Sequence, residues 1–490
     1  MGSTVTDTVI VREGTVRGRQ RGDLLEFLGI PYAAAPFGAN RLRPPTPAPH
    51  WQGVRDARQY GATVPKADYI AMYVPYYPEV TIAGTECLNL NVHTRIDAHR
   101  LPVLVWIHGG AFTNGSNSLA EYDGSAFARD GVVTVVINYR LGAEGFLYTG
   151  DEVANLGILD QIAALRWVRD NIAAFGGDPD RVTVAGQSAG AWSVNTLLAA
   201  PDAEGLFQQA ISQSGGAHHY LPPEQSLTVA RELARLLGIE PKREAFAAVD
   251  PQVLAEACRT VITEIQTAPD PGKWGALAMT QQPYAPTVDG TVLPRPTLEG
   301  LAERTGVRLL IGTTADEARA ILVASGALAV LDEVALTATI EGYGLPAEET
   351  LAAYRRDRLD ATAGELISAI VSDWYFRIPS VRVAEAREPG STWLYRFEWA
   401  SPTLGSGHAV DIPFAFDTLA APGLSARIGD DPPQAVADTN HRIWVEFITH
   451  GDPGWAPYDT DARTTGLISE TVTVANDPAG HERILWEGKR

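Results

Sequence analysis

Cysteine is almost missing from this chain: two residues in 490, Cys87 and Cys258. They allow one bridge at most, which excludes a disulfide-stapled fold. Ligand spacing for a metal is missing too. His218 and His219 are adjacent, so they cannot form a pair on one helix face, and they read as loop residues. No metal and no cofactor is expected. No apolar run approaches the roughly 18 residues of a membrane span. The start, "MGSTVTDTVIVREG", has no positive end followed by an apolar stretch, so a secretory leader is not expected and the location is expected to be cytoplasmic. Gly2 and Thr6 match a short acylation pattern that nothing else supports. Positive charge is in deficit, 39 Lys and Arg against 59 Asp and Glu, for a net charge of −20. Such a surface repels phosphate backbones and excludes nucleic acid as a partner. There is no internal repeat, no low-complexity tract and no long Gly/Ser/Pro linker, so residues 1–490 are expected to form one domain.

What is present is a regular alternation. Apolar, β-branched runs at 103–107, 132–138, 182–185, 209–212 and 307–311 are separated by helical patterns, the clearest at 156–175. Strands that are apolar throughout, with helices between them, predict an α/β fold: a mostly parallel central sheet covered on both faces. The first thirty residues alternate around Gly-centred turns and predict an antiparallel hairpin at the sheet edge. The mainly helical stretches 222–281 and 315–387 read as insertions over one end of the sheet.

One run carries chemistry. "VTVAGQSAGAWSV" (182–194) passes from a strand into an alanine-rich helix through Gly186, Ser188 and Gly190. A serine at so abrupt a turn is forced into strained backbone, and bulkier residues two positions either side would collide. The strain exposes the hydroxyl and aims the N–H groups of the new helix at whatever it attacks. Ser188 is the only serine so flanked, and it is the candidate nucleophile. A nucleophilic serine needs oxyanion donors, a base and an orienting acid. The run "VLVWIHGGAFTNGS" leads a buried strand into His108-Gly109-Gly110-Ala111. Small residues there let the backbone approach a reacting carbonyl, so the N–H groups of Gly110, Ala111 and Ala189 are the candidate donors. Downstream, His408, His441, His450 and His481 could act as base. His408 is favoured because it lies in the Gly-rich loop "LGSGHAVDIPFAF". Asp316 and Glu317 stand where a strand meets a helix. Either could orient the imidazole, and physics alone does not choose between them.

Several longer blocks now come into view: "FLGIPYAAAPFGANRLRPP", "ECLNLNV", "NLGILDQIAALRWVRDNIAAFGGDP" followed by "GQSAGA", "PTVDGTVLP" and "THGDPGW". Together they resemble the type-B carboxylesterases, the family of p-nitrobenzyl esterase and the cholinesterases, over nearly the whole chain. The resemblance implies an α/β-hydrolase fold and hydrolysis of carboxylic esters through an acyl-enzyme. By position it implies Ser188 as nucleophile, Glu317 as acid, His408 as base, Gly110, Ala111 and Ala189 as oxyanion hole, and Ser214 as support for the acid. The chain departs from the family in four places. Ala318 stands where glycine is frequent, and Gln187 where cholinesterases carry glutamate. The loop before "ECL" has Tyr69, Tyr73, Tyr76 and Tyr77 but no tryptophan. The cysteine that would bridge Cys87 is absent, so Cys87 is expected to be a free thiol. The expected substrates are small neutral, apolar esters with short to medium acyl or aryl groups, in a pocket lined by Tyr69, Tyr73, Trp274 and Trp374. Carbamate or amide hydrolysis with the same triad is the alternative. A non-catalytic binding protein is a further one, disfavoured by the intact Ser188, Glu317 and His408.

Overall fold

The computed structural model describes residues 7–490; the Gly2 and Thr6 pattern lies outside the described residues. Eleven strands form the main sheet: β1 (Arg19–Arg21), β2 (Leu24–Pro31), β3 (Asn89–Arg95), β4 (Leu101–Ile107), β5 (Val133–Ile137), β6 (Gly177–Gln187), β7 (Gln209–Gln213), β8 (Arg308–Thr314), β9 (Thr392–Phe397), β10 (Thr464–Ile468) and β11 (Val472–Asn476). Their spatial order is β11-β10-β9-β8-β7-β6-β4-β5-β3-β2-β1. The seven strands from β10 to β5 run parallel, and the remaining pairs are antiparallel. The five apolar runs read from the sequence lie on β4 to β8. Their side chains from Val103 to Ile107 and from Val133 to Ile137 are almost all inaccessible, as a strand covered on both faces requires.

Three differences from the sequence reading have physical causes. The N-terminal segment makes two hairpins. Thr8–Val11 pairs with Gly14–Arg17, which also pairs with Val54–Asp56 in a separate small sheet, and β1–β2 forms the edge of the main one. The helix predicted over 156–175 ends at Asn171 and tightens into a 3₁₀ turn, Ile172–Phe175. Strand β3, "NLNVHTR", went unread because half of it is polar. Its asparagines are spent on groups outside the regular ladder: Asn89 Nδ2 donates to Ala62 O in a loop at 2.8 Å, and Asn91 Oδ1 accepts from the N–H of Gly29, where the pairing of β2 shifts register, at 2.9 Å.

Parallel pairing puts the C-terminal ends of β4, β6, β8 and β9 on one side of the sheet. Ile107, Gly186, Ser212, Ile311 and Leu394 lie side by side across five strands. The chain leaves β4 into His108, β6 into Ser188, β8 toward Glu317 and β9 toward His408. All the candidate residues therefore emerge at the edge where open α/β sheets bind ligands. Within 222–281 the main helices are Pro223–Leu237 and Pro251–Thr267. Within 315–387 they are Glu317–Ala324, Glu333–Gly342, Ala347–Arg355, Ala363–Ser372 and Ile378–Ala386.

Candidate active site

β6 ends at Gln187 and the helix Ala189–Ala199 begins two residues later, so Ser188 stands alone at the turn. Its backbone has φ 56° and ψ −121°, a conformation that costs a non-glycine residue about 1–3 kcal/mol. Its neighbours make the turn possible. A Cβ on Gly186 would lie 2.5 Å from the carbonyl carbon of Gly190, and one on Gly190 would collide with the carbonyl oxygen of Ile107. The Ser188 N–H donates to Gln213 O at 3.0 Å, which ties the turn to β7.

The loop after β4 lies against this turn. At Gly109 a Cβ would stand 3.3 Å from that of Ser188 and 2.8 Å from the carbonyl oxygen of Gln187. Gly110, Ala111 and Phe112 follow with φ of 107°, 54° and 61°. The N–H groups of Thr113 and Asn114 both donate to Gly110 O at 2.9 Å and close the turn. Among the described residues no carbonyl or side chain accepts from the N–H of Gly110 or Ala111, and Ala189, as the first residue of its helix, has no helical acceptor. These three N–H groups remain available to a ligand. His108 takes no part in proton transfer. It is buried and stacked on Tyr139 at 4.6 Å, and burial pushes its pKa down to about 3, so it stays neutral.

His408 Nδ1 lies 2.6 Å from Glu317 Oε2. The other oxygen of Glu317 accepts from the N–H of Thr314 at 2.8 Å, and the His408 N–H donates to Glu317 O at 3.1 Å. Asp316 is turned away: its carboxylate accepts from the Ser368 hydroxyl and faces Arg319. Of the two acids that the residues alone left open, geometry puts Glu317 on the imidazole. The other histidines lie elsewhere. His441 Nδ1 pairs with Ala415 O at 2.7 Å, His450 is exposed beside Glu446, and His481 lies beside Asp357. Ser214 requires a correction. Its N–H donates to Gly312 O at 2.8 Å, but its buried hydroxyl has no partner. The hydrogen bond that Glu317 Oε1 accepts comes from the Thr314 backbone instead.

Two neighbours of His408 were not legible as such. Gln187 Nε2 lies 3.1 Å from His408 Nε2. With the Nδ1 proton directed at Glu317, Nε2 is the acceptor and the Gln187 amide donates to it; this tautomer follows from the hydrogen-bond network. The Phe376 ring lies 4.8 Å from the imidazole. Phe376 belongs to a π-helical turn, Asp373–Arg377, a widened geometry often found at functional sites. His219, stacked on Trp192 at 3.9 Å, meets Tyr375 at 4.5 Å.

The expected pocket divides. Tyr69 and Tyr73 line a cavity of about 80 Å³ that also touches Ala111, Leu141 and Cys258. Trp274 and Trp374 do not line it. The Trp274 indole N–H bonds Glu264 Oε1 at 3.2 Å with Lys273 over its ring, and Trp374 is stacked between Tyr343 at 5.0 Å and the Arg490 guanidinium at 4.2 Å. Both rings are used in packing the helices.

Asp411 is another residue that sequence reasoning passed over. It is buried just behind Glu317, and neither carboxylate oxygen has a partner. Burial, with repulsion from Glu317 adding to it, pushes its pKa up to about 7. A carboxyl whose pKa is raised by folding binds its proton more tightly in the folded state. Its contribution is therefore fully present below the unfolded value, about 3.9, and is lost as pH rises through about 7. At about 1.4 kcal/mol per unit the loss is of the order of 4 kcal/mol. Asp411→Asn is expected to raise the unfolding temperature by a few degrees at pH 8 and by much less at pH 4.5. Thermal denaturation at the two pH values checks this, and an equal gain at both would contradict the assignment.

Known proteins resemble this chain over almost its whole length. A family model described as "Carboxylesterase family" matches residues 5–482. Para-nitrobenzyl esterase of Bacillus subtilis is 35% identical over 97% of each chain. Phenmedipham hydrolase of Pseudarthrobacter oxydans is 34% identical over 96% of this chain and 97% of its own. The crystal structure of a Geobacillus stearothermophilus carboxylesterase at pH 6.2 superimposes with a TM-score of 0.84 at 35% identity, covering 98% of this chain and all of the other.

Proposed function

We propose that this chain, which belongs to the carboxylesterase family and is an α/β-hydrolase that cleaves carboxylic esters, works as one catalytic domain through an acyl-enzyme on Ser188. His408 Nε2 takes the hydroxyl proton as the oxygen attacks the ester carbonyl. Glu317 holds the imidazole by its Nδ1–H and stabilises the imidazolium that forms. The developing oxyanion is received by the N–H groups of Gly110, Ala111 and Ala189. The alcohol leaves with the proton returned by His408, and water repeats the sequence to release the acid. Before attack, Gln187 must yield His408 Nε2 to the Ser188 hydroxyl. The observation that carries this reading is the 2.6 Å pairing of His408 with Glu317, with Gln187, the residue before the strained Ser188, 3.1 Å from His408 Nε2.

The scope of substrates follows from what borders the donors. The cavity beside Ala111 is small; aliphatic groups and two tyrosine rings line it together with charges of both signs in balance, Lys66 and Arg259 against Asp68 and Glu144, and the residue before the nucleophile is a neutral glutamine. Both features favour neutral esters with short to medium acyl chains or aryl groups. Cys87 and Cys258 are both free and buried, which suits a reducing compartment and supports a cytoplasmic location. No helix among the described residues is long and apolar enough to cross a membrane.

The test is a series of p-nitrophenyl esters from acetate to decanoate, run beside an aryl carbamate. Highest kcat/KM at short to medium chains, with the carbamate much slower, is the expected result. A carbamate preferred over every ester would overturn the substrate assignment and leave the triad in place.

A further inference from the structure

Ala111 and Phe112 are consecutive non-glycine residues in left-handed conformation, φ 54° and 61°. Each costs about 1–3 kcal/mol and persists only where its surroundings hold it. If Ala111 relaxed to negative φ, the flanking peptides would rotate and its N–H would leave the reacting centre. Three contacts oppose that. The Gly142 N–H donates to Phe112 O at 2.7 Å. At the far end of the turn, Glu79 Oε2 accepts from the Gly115 N–H at 3.0 Å and from Asn114 Nδ2 at 3.2 Å. The third contact is the only one of these that reaches Ala111 itself: Gln282 Nε2 donates to Ala111 O at 2.8 Å.

Gln282 is built for this contact. It is 8% exposed, and the other proton of its amide goes to Tyr284 O at 2.7 Å. One nitrogen thus spans two backbone carbonyls. The residue is 171 positions from Ala111 and follows the short helix Leu277–Thr280. Its predecessor Gln281 turns the chain with φ 53°, and Thr280 O is itself held by the Tyr375 hydroxyl at 3.0 Å.

We propose that Gln282 is a positioning residue of the oxyanion hole: its carboxamide keeps Ala111 in the conformation that aims the Ala111 N–H at the reacting oxygen. This rests on Ala111 being a donor, as argued above. The contact is to the ester-cleaving machinery, not to substrate, so it acts on the transition state more than on ground-state binding.

Gln282→Met keeps the length of the side chain and removes both donors. With active sites counted by titration, kcat for p-nitrophenyl butyrate is expected to fall about tenfold to a hundredfold, with KM changed by less than about threefold. Affinity for a trifluoromethyl ketone, which a nucleophilic serine converts to a tetrahedral oxyanion, is expected to fall by the same factor. A purely structural role would lower the count of active sites and leave kcat per site unchanged. Gln282→Glu gives a second readout. An ionised carboxylate cannot donate to Ala111 O, whereas a protonated one can, so activity relative to wild type is expected to rise as pH falls through the carboxyl range. Unchanged kcat and ketone affinity in Gln282→Met, or a flat ratio in Gln282→Glu, overturns the proposal. If Gln282→Met does not fold, the Gln282→Glu ratio decides. Wild type that resists the ketone would instead overturn the oxyanion-hole reading beneath it; equal inhibition of wild type and Gln282→Met overturns only the role of Gln282.

Discussion

Ser188→Ala is expected to lower kcat for p-nitrophenyl butyrate by about five to six orders of magnitude and to leave the fold intact. The size of the loss follows from the bond being made. Without the hydroxyl there is no acyl-enzyme, and water must attack directly. The three backbone donors remain, so the variant keeps the residual acceleration that binding and an oxyanion hole provide, about 10³–10⁴ over water. Stability is expected to hold or rise slightly, because alanine at φ 56° is no more strained than serine and the fold sacrifices nothing but a hydroxyl. The measurement is steady-state hydrolysis with a burst experiment alongside. Wild type should release nitrophenol in a burst equal to the enzyme concentration, and the variant should show none. Equal turnover in both proteins would remove Ser188 from the mechanism.

Glu317→Gln carries the second largest expectation, a fall in kcat of about 10⁴ with KM little changed. An amide at this position is isosteric with the carboxylate. Its oxygen can still accept from the Thr314 N–H, but its NH₂ then faces His408 Nδ1 at the 2.6 Å contact. Two donors cannot share that line, so the imidazole must turn Nδ1 into the acceptor and move its proton to Nε2. Nε2 is the atom needed as base, and in that tautomer it has no lone pair to offer. The counterpart Asp316→Asn is expected to change kcat by less than about threefold, because Asp316 bonds Ser368 and faces Arg319 rather than the imidazole. Measuring the two variants together separates the acids that one dipeptide presents. Similar losses in both would show that the acid has been misassigned.

How much of this was legible in advance depends on how local each cause is. Strands β4 to β8 could be read because each is apolar along its length, and that pattern survives any environment. β3 could not, because its asparagines are partners for groups more than twenty residues away. Ser188 and its two glycines could be read because the clash that requires them acts between residues four apart and against one neighbouring strand end. The choice between Asp316 and Glu317 could not be made from spacing. Both begin the same helix, and the selection is made by Ser406, Ser368 and the His408 loop, which arrive from far along the chain.

The aromatic residues show the same division. Composition placed tyrosines and tryptophans near the site without saying which rings would face it. Tyr69 and Tyr73 line the cavity, whereas Trp274 and Trp374 do not, and a π-helical turn gives Phe376 the place beside His408. The contacts of Gln187, Gln282 and Asp411 belong to this second group, and they have no motif at all. The sequence by itself determined the central parallel strands β4 to β8, the strained serine turn, the glycine-rich loop after β4 and the family, because these rest on short-range sterics and on patterns of burial. Tertiary structure alone decided which carboxylate meets the imidazole, which amide bonds Ala111 O and which carboxyl is stranded near Glu317. Those outcomes depend on side-chain directions at distances of about 3 Å between segments up to 171 residues apart, and a hydrogen bond is too directional for composition or spacing to foretell.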